Sequence, residues 1–507
     1  MALGDFTGRG ARHWANREAV VDVAKGAAGR FSYAQLDSRA RALSAFLSAQ
    51  GVGKGDRVGF LAHNGIELFD AFFAAARLGA VFVPYNWRLH AQELTGLLNL
   101  TRPRLLLYSP EFAQSAQAAA AASHAPPLLL DTESHLYTEL LESRAPAPLA
   151  DESVQPEDPL CLLFTGGTTG TPKAARISYR MVAWNTLTLL THEARHGDTT
   201  ITHTPMFHTG GLLVYTIPLL TVGGRVLVLK RWSASETLEL IGKERADFFF
   251  AVPSQYEEMR QQPNWKSADL SSLRFMTSGG APLPVPLIEA WQQQHRVPFK
   301  QGFGMTEFGP GVFSMGPEFA IAKAGSIGRP NCWVEARLYD HDGRDVSKGE
   351  VGELHLKGQA CFSGYHEMAE ESARAFDSNG YFRTGDLAKQ DDDGFFFIVG
   401  RKKDMYISGG ENIYPVEIEQ LLYQHPSVAA CAVVGIPDAR WGEVGHAFIV
   451  LRAGKSASGD ELLERLRGQL AKFKVPKAIT FVESLPMTPA GKVRKHELRA
   501  SLLENPT

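Results

Sequence analysis

Cysteine and net charge are both scarce in this chain, and each shortage excludes a class of protein. Only four cysteines occur in 507 residues, and no two of Cys161, Cys332, Cys361 and Cys431 form a C-x-x-C pair. Neither a zinc site nor a disulfide framework is therefore predicted, and a reducing, cytoplasmic location is expected. The formal net charge is −3, with 52 Lys and Arg against 55 Asp and Glu, which argues against nucleic acid or an anionic membrane as a partner.

Long apolar segments are also missing. The longest apolar runs lie at 71–85, where Arg77 interrupts the run, and at 212–222. Both are shorter than the roughly 20 residues that cross a bilayer. The N-terminal stretch MALGDFTGRGARHWANREAV contains no continuous apolar core of the kind that a secretory signal needs. We therefore expect neither a transmembrane segment nor a signal peptide.

Helical and strand patterns alternate over most of the chain, which predicts an α/β fold. Apolar residues follow helical spacing from Leu36 to Gln50, Gly51 ends that helix, and 57–62 has a strand pattern. Further strand-like runs lie at 225–229, 248–252, 273–277 and 299–301.

The pattern becomes β-rich from about 335 to 400. The turn signal Asp391-Asp392-Asp393-Gly394 separates strands predicted at 386–389 and 395–399. A charged segment, 401–403, follows Gly400 and is typical of a hinge. We therefore predict a large N-terminal domain of α/β layers with a β-rich portion, residues 1–400, and a small α+β C-terminal domain, residues 401–507.

The segment LFTGGTTGTPKAA, at 163–175, places three glycines and four threonines before a lysine. A P-loop requires that lysine directly after glycine, whereas Thr171 and Pro172 precede Lys173 here. A nucleophile elbow requires serine where Thr168 stands and a helix where Pro172 stands. Two interpretations stay open with equal weight: a plain glycine turn, or a flexible clamp whose amides, hydroxyls and lysine bind a polyphosphate.

Two further segments carry chemistry suited to a nucleotide. In QGFGMTE, at 301–307, Phe303 can stack on a base, Thr306 can donate to a phosphate and Glu307 can hold magnesium. Taken alone, a strand-end loop with an exposed acid is the slightly favoured alternative. In YFRTGDL, Asp386 can accept hydrogen bonds from two ribose hydroxyls, although a turn aspartate is commoner.

The C-terminal part contains two basic motifs. GRKKDMYISGGENIYPVEIE, at 400–419, joins a basic cluster, a Ser-Gly-Gly loop and a helix start. PAGKVRK, at 489–495, places a lysine on a glycine turn. By themselves, a solvated charged face and a surface lysine would account for them.

These five motifs occur in the order found in adenylate-forming enzymes, and the chain resembles that superfamily over essentially its whole length. The superfamily comprises acyl- and aryl-CoA synthetases, amino-acid adenylation domains and beetle luciferases. The spacing around PMFHTGG, at 205–211, and TSGGAPLP, at 277–284, is most similar to fatty-acyl-CoA synthetases. The resemblance implies an N-terminal adenylation domain and a C-terminal lid. It also implies ATP, Mg²⁺ and coenzyme A, with no prosthetic group.

The resemblance further implies a role for each matching residue. The phosphate clamp comprises Thr165, Gly166, Gly167, Thr168, Thr169, Gly170, Thr171 and Lys173. The other ATP and AMP contacts comprise Gly280, Ala281, Pro282, Gln301, Gly302, Phe303, Gly304, Asp386 and Arg401. The catalytic residues comprise His208, Thr306, Glu307 and Lys492. Of these, Glu307 is the implied magnesium ligand and Lys492 bridges carboxylate and α-phosphate oxygens during adenylation, while Lys403 is the implied hinge.

Two substrate sites follow from the same resemblance. The coenzyme A contacts comprise Arg88, Ser408, Gly409, Gly410, Trp441, Phe473 and Lys477. The acid pocket comprises Trp184, His208, Phe250 and Gly279. Three positions depart from the family pattern, because Gly166 replaces a common Ser, Ala174 a Gly and Phe303 a Tyr. None of them removes a charge, so activity is expected to persist with an altered ATP affinity.

The expected function is an ATP- and magnesium-dependent acid–CoA ligase for a medium- or long-chain fatty acid, with a benzoate-like aryl acid as the alternative. A catalytically silent nucleotide-binding sensor stays open, although intact Glu307, Asp386 and Lys492 argue against it. An acyl hydrolase that uses Thr168 is a third hypothesis and predicts ester cleavage without ATP. The expected partners are a small carboxylic acid, ATP and coenzyme A, and the oligomeric state is left open, with a homodimer among the alternatives.

Overall fold

The computed structural model describes residues 2–143, 146–165, 172–192, 194–487 and 493–504. The chain separates into two compact units: unit 1 comprises Met1–Glu335 and Lys357–Phe382, and unit 2 comprises Ala336–Leu356 and Arg383–Thr507. The hinge predicted at 401–403 lies inside unit 2, because the strands that precede it pair with strands from 336–356. The domain boundary proposed at 401–403 stays a prediction.

The strands are numbered in chain order. Those of unit 1 are β1 (Glu18–Asp22), β2 (Arg30–Ser32), β3 (Arg57–Leu61), β4 (Val81–Pro84), β5 (Leu105–Tyr108), β6 (Leu128–Asp131), β7 (Pro159–Thr165), β8 (Lys173–Ser178), β9 (Thr199–Thr202), β10 (Arg225–Val228), β11 (Phe248–Ala251), β12 (Phe275–Gly279), β13 (Phe299–Phe303), β14 (Phe313–Met315) and β15 (Arg329–Pro330). Those lying mostly or wholly in unit 2 are β16 (Val334–Tyr339), β17 (Gly352–Gly358), β18 (Phe382–Gln390), β19 (Phe396–Arg401), β20 (Tyr406–Ser408), β21 (Glu411–Ile413), β22 (Val428–Asp438), β23 (Gly442–Leu451) and β24 (Ala478–Phe481).

The α-helices of unit 1 are α1 (Phe6–Trp14), α2 (Tyr33–Ala49), α3 (Ile66–Arg77), α4 (Ala91–Thr101), α5 (Ala113–Ala121), α6 (His135–Glu142), α7 (Tyr179–Thr191), α8 (Thr209–Leu212), α9 (Thr216–Thr221), α10 (Ala234–Glu244), α11 (Pro253–Arg260), α12 (Val285–His295) and α13 (Ala369–Arg374). Those of unit 2 are α14 (Pro415–Tyr423), α15 (Gly459–Arg467) and α16 (Lys495–Glu504). Short 3-10 helices lie at Val23–Gly29, Pro110–Phe112, Thr306–Phe308, Pro317–Phe319 and Lys472–Lys474.

Four sheets organise these elements. A nine-stranded sheet of order β15-β14-β13-β12-β11-β9-β10-β1-β2 and a six-stranded sheet of order β6-β5-β3-β4-β7-β8 form unit 1. In the first sheet, β1, β10, β9, β11, β12 and β13 run parallel. A sheet of order β16-β17-β18-β19 and a sheet of order β21-β20-β23-β22, to which β24 adds along β23, belong to the second part of the fold. The predicted α/β class, with a large N-terminal and a small C-terminal part, is confirmed.

Local sequence explains why the predicted elements form. Helix α2 begins with a capping box, in which the Ser32 hydroxyl accepts from the Gln35 amide at 3.2 Å and the Gln35 side chain accepts from the Ser32 amide at 2.8 Å. It ends before Gly51, whose φ of +77° suits glycine. The strand predicted at 57–62 is β3, and the hairpin predicted around Asp391 is β18–β19. Each of these predictions is confirmed.

One large apolar core supports the parallel sheet of unit 1. Its members include the fully buried rings of Phe249, Tyr256, Trp291 and Phe299. Trp291 and Phe299 each pack edge-on against Tyr256. This core packs against one face of β11, β12 and β13, so the carboxyl ends of these strands form a rigid edge.

The four thiols occupy different environments. Cys161 and Cys431 are buried, Cys361 is half-buried and Cys332 is exposed, and none of them forms a disulfide. Burial raises the pKa of the Cys361 thiol to about 12 and that of Cys161 well above its ordinary value. Among the residues that the structure describes, no helix is long and apolar enough to cross a membrane.

Candidate active site

The carboxyl ends of β11, β12 and β13 bring two of the predicted motifs together. Gly279 pairs with Gly302 in the parallel register of β12 and β13, so TSGGAP and QGFG lie side by side. A Cβ at Gly279 would lie 3.0 Å from the Gly302 carbonyl oxygen and 3.1 Å from Phe250. Ligands of α/β sheets bind beyond this edge, which is where the sequence places Gly280, Ala281 and Pro282.

The turn after β13 requires glycine at one position. A Cβ at Gly304 would lie 1.6 Å from the Pro310 carbonyl oxygen. The close approach leads directly into the 3-10 helix Thr306–Phe308. Phe303 is half-buried and packs edge-on against Phe313 with ring centroids 5.9 Å apart. The Gln301 side chain is buried and accepts from the Leu283 amide at 3.4 Å, so it supports the loop that follows Gly280.

Three side chains meet at the phosphate end of the candidate site. The Tyr365 hydroxyl donates to Glu307 Oε1 at 2.9 Å, and the Lys173 ammonium lies 5.1 Å from the centroid of the Tyr365 ring. The Phe362 amide donates to the Glu307 carbonyl oxygen at 2.8 Å. Tyr365 thus contacts both the Lys173 ammonium, through its ring, and the Glu307 carboxylate, through its hydroxyl, although the three residues are far apart in sequence.

The Lys173 end of this group is the end of a hairpin. Thr165 and Lys173 pair across β7 and β8, and the Thr165 hydroxyl donates to the Lys173 carbonyl oxygen at 3.5 Å. Of the predicted phosphate clamp, residues 166–171 lie outside the described residues, as does Lys492. Their predicted roles stay predictions.

Thr306 joins this group to the predicted acid pocket. Its hydroxyl lies 2.8 Å from the hydroxyl of Thr209, the first residue of α8. His208 immediately precedes α8, is half-buried and packs against Phe207 with ring centroids 4.4 Å apart. The predicted phosphate and acid residues therefore approach one another through a pair of threonines.

The predicted acid pocket is only partly assembled. Phe250 fills the space between Gly279 and Gly210, whose added Cβ atoms would lie 3.1 Å and 3.8 Å from its ring. Trp184, on α7, packs instead against Trp333 with ring centroids 5.3 Å apart. A cavity of about 10 Å³, barely the room of one water, remains beside Phe250.

The two predicted ribose contacts lie opposite each other in unit 2. Asp386 on β18 pairs with Arg401 on β19, and Arg401 Nε lies 2.6 Å from Asp386 Oδ1. Asp386 is 3% exposed, and its amide donates to the Thr384 hydroxyl at 3.0 Å. The predicted hinge residue, Lys403, is exposed.

Several of the predicted coenzyme A residues of unit 2 surround a tight turn. Gly409 and Gly410, between β20 and β21, have φ values of +62° and +90°, which suits a two-residue glycine turn after Ser408. The Gly409 amide donates to the Trp441 carbonyl oxygen at 2.8 Å, and a Cβ on Gly409 would meet the indole at 3.0 Å. The Trp441 side chain is 38% exposed, and Phe473, on the 3-10 helix Lys472–Lys474, is 44% exposed.

The other two predicted coenzyme A residues have simpler surroundings. Lys477 is exposed, and its amide donates to the Gly445 carbonyl oxygen at 2.8 Å beside β24. In unit 1, the Arg88 guanidinium lies 4.4 Å from the Trp87 ring and 5.9 Å from Phe207. Arg88 is therefore a neighbour of the segment that contains His208.

Sequence reasoning did not find Tyr365, Thr209 or Tyr215 as site residues. Tyr365 lies in CFSGYHEM, whose single glycine and single glutamate match no phosphate-binding pattern. The Tyr215 hydroxyl lies 2.6 Å from the Thr277 hydroxyl, 62 positions away. Tyr365 and Tyr215 reach the motifs only in the folded chain, and Thr209, although it lies within PMFHTGG, meets Thr306 only there.

Comparison with known proteins gives two matching family models. Residues 8–366 match the model described as AMP-binding enzyme, and residues 417–492 match that of the AMP-binding enzyme C-terminal domain.

Individual relatives align over nearly the full chain. Indoleacetate–CoA ligase of Aromatoleum aromaticum is 40% identical, covering 96% of this chain and 97% of the relative. The long-chain-fatty-acid–CoA ligase FadD13 of Mycobacterium tuberculosis is 34% identical, covering 93% of each. The crystal structure of ATP-bound MatB from Rhodopseudomonas palustris superposes with a TM-score of 0.89 at 30% identity and covers 99% of each chain.

Proposed function

The chain belongs to the AMP-binding enzyme family, in the acyl-CoA synthetase branch of the adenylate-forming superfamily, and on that premise we propose that it activates a carboxylic acid with ATP and transfers the acyl group to coenzyme A. The observation that carries the proposal is the group formed by Lys173, Tyr365 and Glu307, with Thr306 linked to Thr209 beside it. It joins phosphate-binding chemistry to the segment that contains His208.

In the first step an acid oxygen attacks the α-phosphorus of ATP, and pyrophosphate leaves. Lys173 and the Thr165 hydroxyl bind the departing phosphates, and the Thr306 hydroxyl donates to the α-phosphate. The protein forms no covalent bond in this step, so it accelerates the reaction by positioning the substrates and stabilising the charge of the transition state. Lys492 serves the same step in this proposal, on the strength of the family resemblance.

Glu307 fits a magnesium ion that accompanies ATP. Its carboxylate is a hard oxygen ligand, and magnesium in such sites takes one or two carboxylates together with phosphate oxygens and water. When bound, the ion would neutralise phosphate charge. Tyr365 orients the carboxylate through its hydrogen bond to Oε1.

In the second step the coenzyme A sulfur attacks the carbonyl carbon of the acyl-adenylate, the carbonyl–oxygen bond to AMP breaks, and a thioester forms. Gly409 and Gly410 lack side chains, which leaves room for a narrow pantetheine chain. Asp386 and Arg401 contact the ribose in this proposal, and Trp441, Phe473 and Lys477 contact the coenzyme A nucleotide.

The test measures two products against three substrates. Pyrophosphate release is expected to require acid and ATP, and AMP and thioester release to require coenzyme A as well. Glu307→Gln is expected to lower pyrophosphate release strongly, whereas the exposed Glu483→Gln is the matched control. Tight ATP binding without pyrophosphate from any acid in a broad panel would instead support a silent sensor. Ester cleavage without ATP would support the hydrolase.

A further inference from the structure

The acid end of the candidate site is filled by one aromatic ring. Phe250, on β11, lies between two glycines, Gly210 and Gly279, that leave room for a ring and for little else. The cavity beside Phe250, about 10 Å³, has barely the room of one water. Phe250 is half-buried rather than buried. An acid bound at this position would take the place of the Phe250 ring, a space of about the size of one aromatic ring.

Tyr215 lines the cavity beside Phe250, and two buried rings lie behind it. We name these three residues the pocket floor: Tyr215, Phe248 and Phe275. Tyr215 lies 4.6 Å from Phe248, and Phe248 stacks on Phe275 at 5.2 Å with an interplanar angle of 3°. Phe248 and Phe275 are 0% and 2% exposed. A long acyl chain would have to displace core rings of the parallel sheet, and cores packed to this density yield little.

The same wall presents hydroxyl groups. The Tyr215 and Thr277 hydroxyls lie 2.6 Å apart, and those of Thr202 and Thr216 lie 2.7 Å apart. Burial raises the pKa of Tyr215 to about 12, so the phenol keeps its proton at neutral pH. An aliphatic tail gains nothing from such groups, whereas a site that hydrogen-bonds a polar substituent discriminates strongly in its favour.

From the ring-sized space at Phe250 and the hydroxyl-bearing pocket floor, we propose that the acid is a planar aromatic acid with a hydrogen-bonding ring group. The proposal rests on the acid–CoA ligase function above. It replaces the medium- or long-chain fatty acid that sequence motifs favoured.

The experiment compares kcat/KM for thioester formation across four acids: 4-hydroxyphenylacetate, phenylacetate, octanoate and palmitate. Both aryl acids are expected to exceed octanoate by about tenfold or more, with the hydroxylated acid ahead of phenylacetate and palmitate inactive. A preference for octanoate or palmitate overturns the inference and leaves the ligase function standing. If no thioester forms with these four acids or with any acid of a wider panel, the ligase function itself is contradicted.

A matched pair of variants tests the floor. Tyr215→Phe is expected to lower kcat/KM about tenfold for 4-hydroxyphenylacetate and little for phenylacetate. Tyr256→Phe is the control, because the Tyr256 hydroxyl donates to the Thr277 carbonyl oxygen at 2.8 Å from within the core. Equal losses on both acids in Tyr215→Phe would overturn the role of the hydroxyl. Tyr215→Ala, which shortens the floor, is expected to raise octanoate activity relative to phenylacetate, and an unchanged ratio counts against the floor.

Discussion

The hydroxyl of Tyr365 fixes one oxygen of Glu307 while the ring of the same residue faces Lys173. A tyrosine in this place orders a carboxylate and an ammonium that would otherwise move independently. Burial, with Glu307 next, raises the pKa of Tyr365 far above its ordinary value, so the hydroxyl donates at every physiological pH. Tyr365 is therefore a positioning residue for both charges.

Tyr365→Phe is expected to reduce acid-dependent pyrophosphate release by roughly ten- to a hundredfold, since a hydrogen bond to a charged group contributes about 1.5–3 kcal/mol. The magnesium concentration for half-maximal rate should rise as well, because Glu307 loses its orientation. Tyr381→Phe is the matched control, since Tyr381 donates to Glu335 at 2.7 Å in the same unit. Equal losses in the two variants would reduce Tyr365 to a structural residue.

Lys492→Ala is expected to lower adenylation by about a hundredfold and to affect the thioester step much less when that step begins from prepared acyl-AMP. The reason is that, in the proposed mechanism, the lysine serves the charge formed only in the first transition state. The exposed Lys455→Ala removes a charge from the same unit and should change neither rate. Equal loss in both steps would contradict a role confined to adenylation.

At the scale of elements, the turn between β13 and the 3-10 helix Thr306–Phe308 depends on one missing Cβ. Gly304→Ala is expected to destabilise the fold by about 1–3 kcal/mol and to lower adenylation, because the loop before Thr306 must shift. Gly96→Ala, in the middle of α4 with open space around it, should instead stabilise by about 0.5–1 kcal/mol. Denaturant unfolding measures the stability of the two variants, and pyrophosphate release measures their adenylation. A Gly304→Ala protein that is active and fully stable would refute the steric requirement for glycine.

Strand β17 contributes an acid-sensitive contact to unit 2. Hydrogen bonding to His355, with the Lys402 ammonium 2.7 Å away, lowers the pKa of Glu353 from 4.5 to about 2. A carboxyl with a lowered folded pKa stabilises the fold above its unfolded pKa, and this stability disappears as pH falls from about 4.5 to 2.

Glu353→Gln should therefore lower the free energy of unfolding at neutral pH. Between about pH 4.5 and 2 the variant should lose less of that free energy than the wild type, by on the order of 2–3 kcal/mol. Thermal unfolding measured from pH 7 down to pH 3 tests this, with the exposed Glu483→Gln as the control. Identical pH profiles for the wild type and Glu353→Gln would show that the ion pair contributes nothing.

Sequence patterns predicted elements best where a local signal ends them. Gly51 after α2 and the Asp391–Gly394 turn between β18 and β19 are such signals. The strand predicted at 273–277 instead runs from Phe275 to Gly279, because an apolar run without alternation has no marked end and pairing with β13 decides it.

At the scale of the whole molecule, contiguous motifs were predictable and contacts between distant segments were not. Phe303, Thr306 and Glu307 within QGFGMTE pointed to a nucleotide, since these three residues lie in one short stretch. Tyr365 reaches Glu307 across 58 positions, and Tyr215 reaches Thr277 across 62. The acid pocket is built from such distant pairs: the motif resemblance favoured a fatty acid there, whereas the acid proposed above is aromatic.

The uneven exposure of the four thiols has a practical consequence for spectroscopy. Cys332 is exposed and stands beside Trp333, which packs on Trp184, whereas the other three sulfurs are buried or half-buried. A maleimide fluorophore at neutral pH would therefore attach at Cys332 in the unaltered protein. Because indole rings quench many dyes on contact, such a label would be sensitive to the packing of Trp333 on Trp184 without any engineered cysteine.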